Sequence, residues 1–261
     1  MIKIKTPKEI EGMRPAGALS KLALRRVGAA IKPGVTTLEL DRIAEETIRA
    51  NGGTPAFKGY GGFPGSICCS VNGEIVHGIP SASRVLQDGD VVSIDTGAVV
   101  NGWVGDNAWT FCCGNVSTND KALCQITRDC LIAGINAAVP GNRVGDIGHA
   151  VQTLAEAAGY GVVRDYVGHG VGHEMHEEPN VPNYGKAGRG VKLHVGMVIA
   201  IEPMICMGSY ESHVMPNRWT VVTNDGLNAA HFENTIAITE DGPVVLTQDS
   251  EGPWCTMQGG E

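Results

Sequence analysis

Two stretches of this chain repeat one pattern 107 residues apart (147 minus 40), and that repeat limits the available folds more than any other feature. Pro33-Gly34 precedes Leu40, Ile43, Ala44 and Ile48, which recur at helical spacing and stop at Asn51-Gly52-Gly53. Ahead of them, Thr36-Thr37-Leu38-Glu39 reads as a capping box, in which a hydroxyl and a carboxylate satisfy the first free N–H groups. Pro140-Gly141 likewise precedes Val144, Ile147, Val151, Leu154 and Ala155, which stop at Gly159. Under the shift Leu40 falls on Ile147, Ala44 on Val151, Ile48 on Ala155 and Gly52 on Gly159; upstream, Leu24 falls on Leu131.

An amphipathic helix must bury its apolar stripe against another layer. The pattern therefore predicts two helix-Pro-Gly-helix units, each followed by β-like sequence carrying histidine and then acids. These are His77, Asp95 and Asp106 in the first half, and the histidines of 169–176, Glu202 and Glu233 in the second. No Pro/Ser-rich linker or charge block separates the halves. The expectation is an α+β fold, a single domain over 1–248 with helices packed on a shared, curved sheet. Residues 249–261, polar and glycine-rich, read as a frayed tail.

Within the first half, Asn101-Gly102 between β-rich runs is the strongest short hairpin signal. With those two residues as the loop, 100 pairs with 103 and 97 with 106, so Asp95 shares the face of Asp106. Diagonal neighbours of that kind sit about 7 to 8 Å apart, close enough for both carboxylates to reach one metal cluster. Their neighbours are apolar (Val91-Val92-Ser93-Ile94, Trp109-Thr110-Phe111), and buried carboxylates without a cation are costly.

Glu202 ends the apolar run Gly196–Ile201, and Glu233 lies in His231–Ile238, which reads as a strand. Three histidines, His169, His173 and His176, stand among glycines that let backbone and ligand approach closely. This is not the helical H-E-x-x-H zinc motif, because position 177 is Glu. His173, His149, His194, His213 and His231 read as ordinary polar residues. Two Asp, two Glu and one histidine form an oxygen and nitrogen donor set suited to paired divalent ions such as Mn, Fe or Co.

Composition removes several classes. A net charge of -8 with no Lys/Arg cluster argues against a nucleic-acid surface. Glycine is abundant, 36 of 261 residues, yet it forms no phosphate-binding loop. Apolar runs fall short of the roughly eighteen residues needed to cross a bilayer. Met1–Pro7 goes straight into charged residues, unlike a secretory signal, and the eight cysteines form no C-x-x-C clip. A cytoplasmic chain with reduced, mostly buried thiols is expected. With no heptad repeat, a monomer is the default.

The motifs together resemble the type I methionine aminopeptidases of the creatinase-like pita-bread metallopeptidases. They are Val71-Asn72-Gly73-Glu74-Ile75-Val76-His77-Gly78-Ile79-Pro80, Ser93-Ile94-Asp95, Gly105-Asp106, Gly168-His169-Gly170-Val171-Gly172, His176-Glu177-Glu178-Pro179, Ile201-Glu202-Pro203-Met204 and Phe232-Glu233-Asn234-Thr235. The resemblance runs from the first helices to about Thr247.

It implies two pseudo-symmetric halves on a mainly antiparallel sheet and two divalent ions (Mn, Fe, Co or Zn). Asp106 and Glu233 would bridge them, Asp95 would bind one, and His169 with Glu202 the other. A water activated by the metals would attack the carbonyl of the first residue of a nascent polypeptide, with a small second residue preferred. Glu202 would help move the proton, His176 would stabilise the oxyanion, and His77 would contact the peptide nitrogen beyond the scissile bond. Tyr60, Phe63, Cys68 and Trp219 would surround the methionine side chain, which packs well on aromatic and sulfur surfaces. Any contact with the ribosome would be transient.

Two other readings compete. A Xaa-Pro aminopeptidase or prolidase shares fold and ligands but usually carries a large N-terminal domain, whereas here the first helix is expected within about ten residues of Met1. A metal-free pita-bread protein acting as a binding module would have lost ligands, and all five stand here.

Overall fold

In the computed structural model, which describes residues 1–248, Ser250 and Gly252, four helices stand where the repeat puts them. They are α1 (Pro7–Ala30), α2 (Thr37–Ala50), α3 (Thr118–Ala137) and α4 (Val144–Ala157). Both α2 and α4 have 14 residues, and their starts are offset by 107 (144 minus 37). Apart from Ser250 and Gly252, the predicted tail over 249–261 lies outside the described residues.

The offset extends to single hydrogen bonds. Gly34 N donates to Leu86 O at 2.8 Å, and Gly141 N to Leu193 O at 3.0 Å, each atom displaced by 107. The isolated bridges Thr36↔Val85 and Arg143↔Lys192 are related in the same way. Gly34 and Gly141 have φ of 92° and 94°, a left-handed turn that glycine takes without a Cβ penalty. Carried further, the shift lays Asp95 on Glu202 (202 minus 95).

Asn101 and Gly102, with φ of 51° and 79°, turn strand Val91–Val100 into strand Trp103–Cys112. Val100 pairs with Trp103 and Gly97 with Asp106, the register expected from the loop residues. Ile67–Val71 lies antiparallel on the other side and sets Cys68 opposite Asp95. In the second half, Val198–Ile201 pairs with Asn234–Thr239, inside a five-stranded sheet that also holds Gly168–Gly170 and Glu177–Val181. The expected strand over 231–238 is divided. Ala229–His231 pairs with Met204–Cys206 whereas Asn234–Thr239 pairs with Val198–Ile201, so Phe232 and Glu233 turn the chain from one sheet to the next.

Threonine hydroxyls join the halves, because one hydroxyl can donate and accept at once. Thr110 Oγ1 donates to His231 O at 2.8 Å and accepts from His231 N at 2.9 Å. Thr235 Oγ1 donates to Asp106 O at 2.8 Å and accepts from Asp106 N at 3.2 Å. Between them, Glu233 N donates to Ala108 O at 2.9 Å. Around this seam one apolar cluster runs through both halves, with Leu24, Trp109, Ile147 and Phe232 all buried in it.

Helix α1 lies directly on the hairpin: a Cβ on Gly105 would stand 2.4 Å from Gly17 N. The backbone ahead of Asp106 therefore has no room to shift toward α1. Thr36 caps α2 by accepting from Glu39 N at 3.2 Å, the hydroxyl half of the expected box. Seven cysteines are free, six of them buried, while Cys255 lies outside the described residues. Among the described residues no helix is long and apolar enough to cross a membrane.

Candidate metal centre

A cavity of about 210 Å³ opens between the two halves and is lined by every residue the sequence singled out: His77, Asp95, Asp106, His169, His176, Glu202 and Glu233, with Tyr60, Phe63, Cys68 and Trp219. Ligand atoms of Asp106, His169 and Glu233 all lie within 4.8 Å of one another. His169 Nε2 is 3.5 Å from Glu202 Oε1 and 3.8 Å from Asp106 Oδ2. Asp95 stands close beside Asp106 on the same face of the hairpin, near enough for the two carboxyls to act on each other.

These groups suit a cation and little else. Asp95 Oδ1, Asp106 Oδ1 and Glu233 Oε1 are buried and find no hydrogen-bond partner among the described residues. Burial, and then the charge of Asp106, pushes Glu202 and Glu233 well above the ordinary carboxylate range. Asp95 rises for the same two reasons, and burial raises Asp106 to about 7. Four acids crowded out of water disfavour their own ionisation unless positive charge is supplied.

His169 completes the set from the other side. Its Nδ1, 2.9 Å from Gly170 O, must donate to that carbonyl, so the lone pair sits on Nε2 and faces the carboxylates. Burial, then His176, lowers its pKa to about 4, leaving a neutral ring able to act as a ligand. A lone pair aimed at carboxylate oxygens repels them unless a cation lies between. Asp95, Asp106, His169, Glu202 and Glu233 thus fit a divalent metal centre.

His77 and His176 stand beyond these five. The His77 backbone has φ of 60°, a left-handed conformation uncommon for a residue with a Cβ, and its ring meets Tyr166 edge-on at 5.6 Å. Burial, then His176, lowers its pKa to about 4. His176 stands at the rim, open to solvent, with Nδ1 2.8 Å from the Tyr60 hydroxyl. Its ring centroid is 4.2 Å from that of His169.

Apolar side chains close one end of the cavity. Phe63 meets Trp219 edge-on at 5.1 Å, and Phe57, Cys68 and Met175 are buried alongside. Burial, then the charge of Asp95, pushes the Cys68 thiol well above its usual range. It is a neutral sulfur wall, neither nucleophile nor metal ligand.

One histidine departs from its expected place. His231, read from the sequence as an ordinary polar residue, is buried in the cavity wall with Nε2 3.8 Å from Glu202 Oε2. It precedes Glu233 by two residues, and the period of two that puts alternate strand residues on one face was the signal available. Tyr166 and Met204 also line the cavity and carried no comparable signal.

Fold and centre together define a metallopeptidase of two similar halves. Residues 11–240 match the model of metallopeptidase family M24, and this chain belongs to that family, whose chemistry uses divalent metal. It is 54% identical over 247 residues to a methionine aminopeptidase of Clostridium acetobutylicum, covering 95% of this chain and 99% of that protein. The structure resembles that of the methionine aminopeptidase of Thermotoga maritima, with a TM-score of 0.94, 47% identity and coverage of 95% and 100%. It is similar at lower identity to the prolidase of Pyrococcus horikoshii, with a TM-score of 0.77, 26% identity and coverage of 95% and 64%.

Proposed function

We propose that this chain removes the N-terminal methionine from polypeptides by metal-dependent hydrolysis, with a small second residue preferred. The observation that carries this reading is the buried cluster in which donor atoms of Asp106, His169 and Glu233 lie within 4.8 Å, directly beside an apolar, sulfur-lined pocket. High identity to methionine aminopeptidases over nearly the whole chain supports the choice of substrate.

Asp95, Asp106, His169, Glu202 and Glu233 would together hold two divalent ions, with Asp106 and Glu233 shared between them. Ions held there supply the positive charge that acidifies water and polarises a peptide carbonyl. Glu202, ionised once positive charge is supplied beside it, takes the proton from the attacking water and passes it to the leaving amine. The Tyr60 hydroxyl lies 2.8 Å from His176 Nδ1; by donating to it, that hydroxyl would fix the ring proton on Nε2 and leave that N–H free to stabilise the oxyanion. His77 meets the peptide nitrogen beyond the scissile bond. The methionine side chain lies among Tyr60, Phe63, Cys68 and Trp219, where aromatic edges and sulfur suit a thioether. Residues 1–248 act as one catalytic domain, and the free, buried cysteines support a reducing, cytoplasmic setting.

The test is to incubate metal-reconstituted protein with Met-Ala-Ser, Met-Leu-Ser and Ala-Pro-Ser peptides. Release of the first residue from Met-Ala-Ser, slow release from Met-Leu-Ser and none from Ala-Pro-Ser is the expected pattern. Release from Ala-Pro-Ser alone would replace this reading with a proline-directed peptidase.

A further inference from the structure

Ahead of α1, the extended residues Lys3 and Lys5 reach across to the loop that carries two of the site's histidines. Lys5 Nζ donates to Glu177 Oε2 at 2.7 Å, and both side chains are almost fully enclosed, 5% and 3% exposed. Lys3 Nζ donates to Glu177 Oε1 at 2.9 Å from a half-exposed position. The backbone is fixed as well, with Lys5 N donating to Gly196 O at 2.7 Å. None of these atoms lines the cavity.

Glu177 sits inside the turn that follows His169. A Cβ on Gly172 would stand 2.5 Å from Glu177 Oε1, so the carboxylate fills the hollow of the turn and only glycine lets it in. Gly170 pairs with Glu177 across this turn. Burial alternates along the strand, and while Glu177 is buried, His176 before it opens to the cavity. The other limb is tied to the metal-bearing hairpin: Val104 N donates to Gly172 O at 2.9 Å, and His173 Nδ1 donates to Gly102 O at 2.7 Å while stacking on Trp103 at 3.6 Å. The limb next to His176 is held by the ion pair, with Glu174 N reaching Glu177 Oε1 at 3.5 Å and the Tyr60 hydroxyl at His176 Nδ1 beside it.

We infer that Lys5 and Glu177 are positioning residues, a buried ion pair that fixes the turn presenting His176, so that a segment outside the cavity sets the rate without touching substrate. The inference rests on the catalytic role proposed for His176. Removing Lys5 leaves the buried Glu177 carboxylate with the half-exposed Lys3 as its one remaining cation and with Oε2 unpaired, and the least costly relief is for the turn to open and let Glu177 reach water. His176, the adjoining residue, moves with it. A misplacement of about 1 Å in a catalytic group costs about 10²-fold in rate.

The experiment compares Lys5→Met, Lys5→Arg and the double variant Lys5→Met/Glu177→Gln with wild type. It measures kcat and KM on Met-Ala-Ser at a temperature where circular dichroism shows every protein folded, and the ring nitrogen signals of 15N-labelled His176 in the metal-free proteins. Lys5→Met should lose roughly 10- to 100-fold in kcat with KM within about twofold, and its His176 signals should shift. Lys5→Arg keeps the charge and should stay near wild type. The double variant, with no buried carboxylate left short of its enclosed partner, should recover most of the loss.

Unchanged kcat in Lys5→Met, or an equal loss in all three variants, would overturn the pairing. A wild-type protein that releases no methionine would overturn the functional reading instead, and the His176 signals would still decide whether the pair holds the turn.

Discussion

Replacing Asp106 by Asn tests the physical basis of the centre in the absence of metal. Burial holds the Asp106 carboxyl at about 7, against an ordinary value of 3.8. Because the folded value is the higher one, the contribution of this group to stability is fully present below pH 3.8 and lost as pH rises through about 7. At pH 8, keeping Asp106 ionised in the fold costs about 4 kcal/mol relative to the unfolded chain, at about 1.4 kcal/mol per pKa unit. At pH 5 the folded carboxyl is neutral while the unfolded one is ionised, and the cost falls to about 2 kcal/mol.

Asparagine has nearly the same shape and no charge at either pH. In EDTA the variant should therefore melt above wild type by roughly 10 °C at pH 8 and about half as much at pH 5, taking 2 to 4 °C per kcal/mol for a chain of this size. The buried histidines titrate in both proteins and cancel in the comparison. Adding Mn(II) at pH 8 should raise the wild-type midpoint, as ligand binding to the native state must, and barely move the variant. Thermal unfolding followed by circular dichroism measures all of this. An Asp106→Asn protein that melts at or below wild type in EDTA at pH 8 would refute the claim that burial disfavours the ionised Asp106 carboxylate until a cation arrives.

Gly105→Ala should push the hairpin off α1, since the new Cβ would stand 2.4 Å from Gly17 N; a loss of about 1 to 3 kcal/mol, read as a lower melting temperature, is expected. His176→Ala should lower kcat by about 10² to 10³ while leaving metal affinity unchanged by calorimetry, because the five metal-facing side chains remain. Brief iodoacetamide treatment at pH 7.5 should alkylate Cys112 ahead of Cys68 and Cys69: a hydrogen bond from the Cys124 thiol lowers it to about 7, whereas burial pushes the Cys68 and Cys69 thiols well above their usual range and keeps them protonated. Peptide mapping that finds Cys68 modified ahead of Cys112 would contradict that ordering.

Local chemistry in the sequence determined much of this protein. The Pro-Gly helix starts fixed both α-helical pairs and their 107-residue offset, because capping, breakers and a period of 3.6 act within a few residues. Asn101-Gly102 set the hairpin register, which put Asp95 and Asp106 on one face, because a two-residue loop with two left-handed residues permits one pairing.

Tertiary structure decided what depends on distant segments meeting. Glu233 leaves strand geometry because its two flanking strands belong to different sheets, a choice made by Met204–Cys206 and Val198–Ile201. His231 turns from an ordinary residue into a wall of the cavity only when Glu202 is folded against it. Lys5 and Glu177, 172 positions apart, show no relation in the sequence, since nothing local requires a lysine to meet a buried acid. Periodicity and turn chemistry are local and therefore legible, whereas a partner brought in by chain closure leaves no mark on its neighbours.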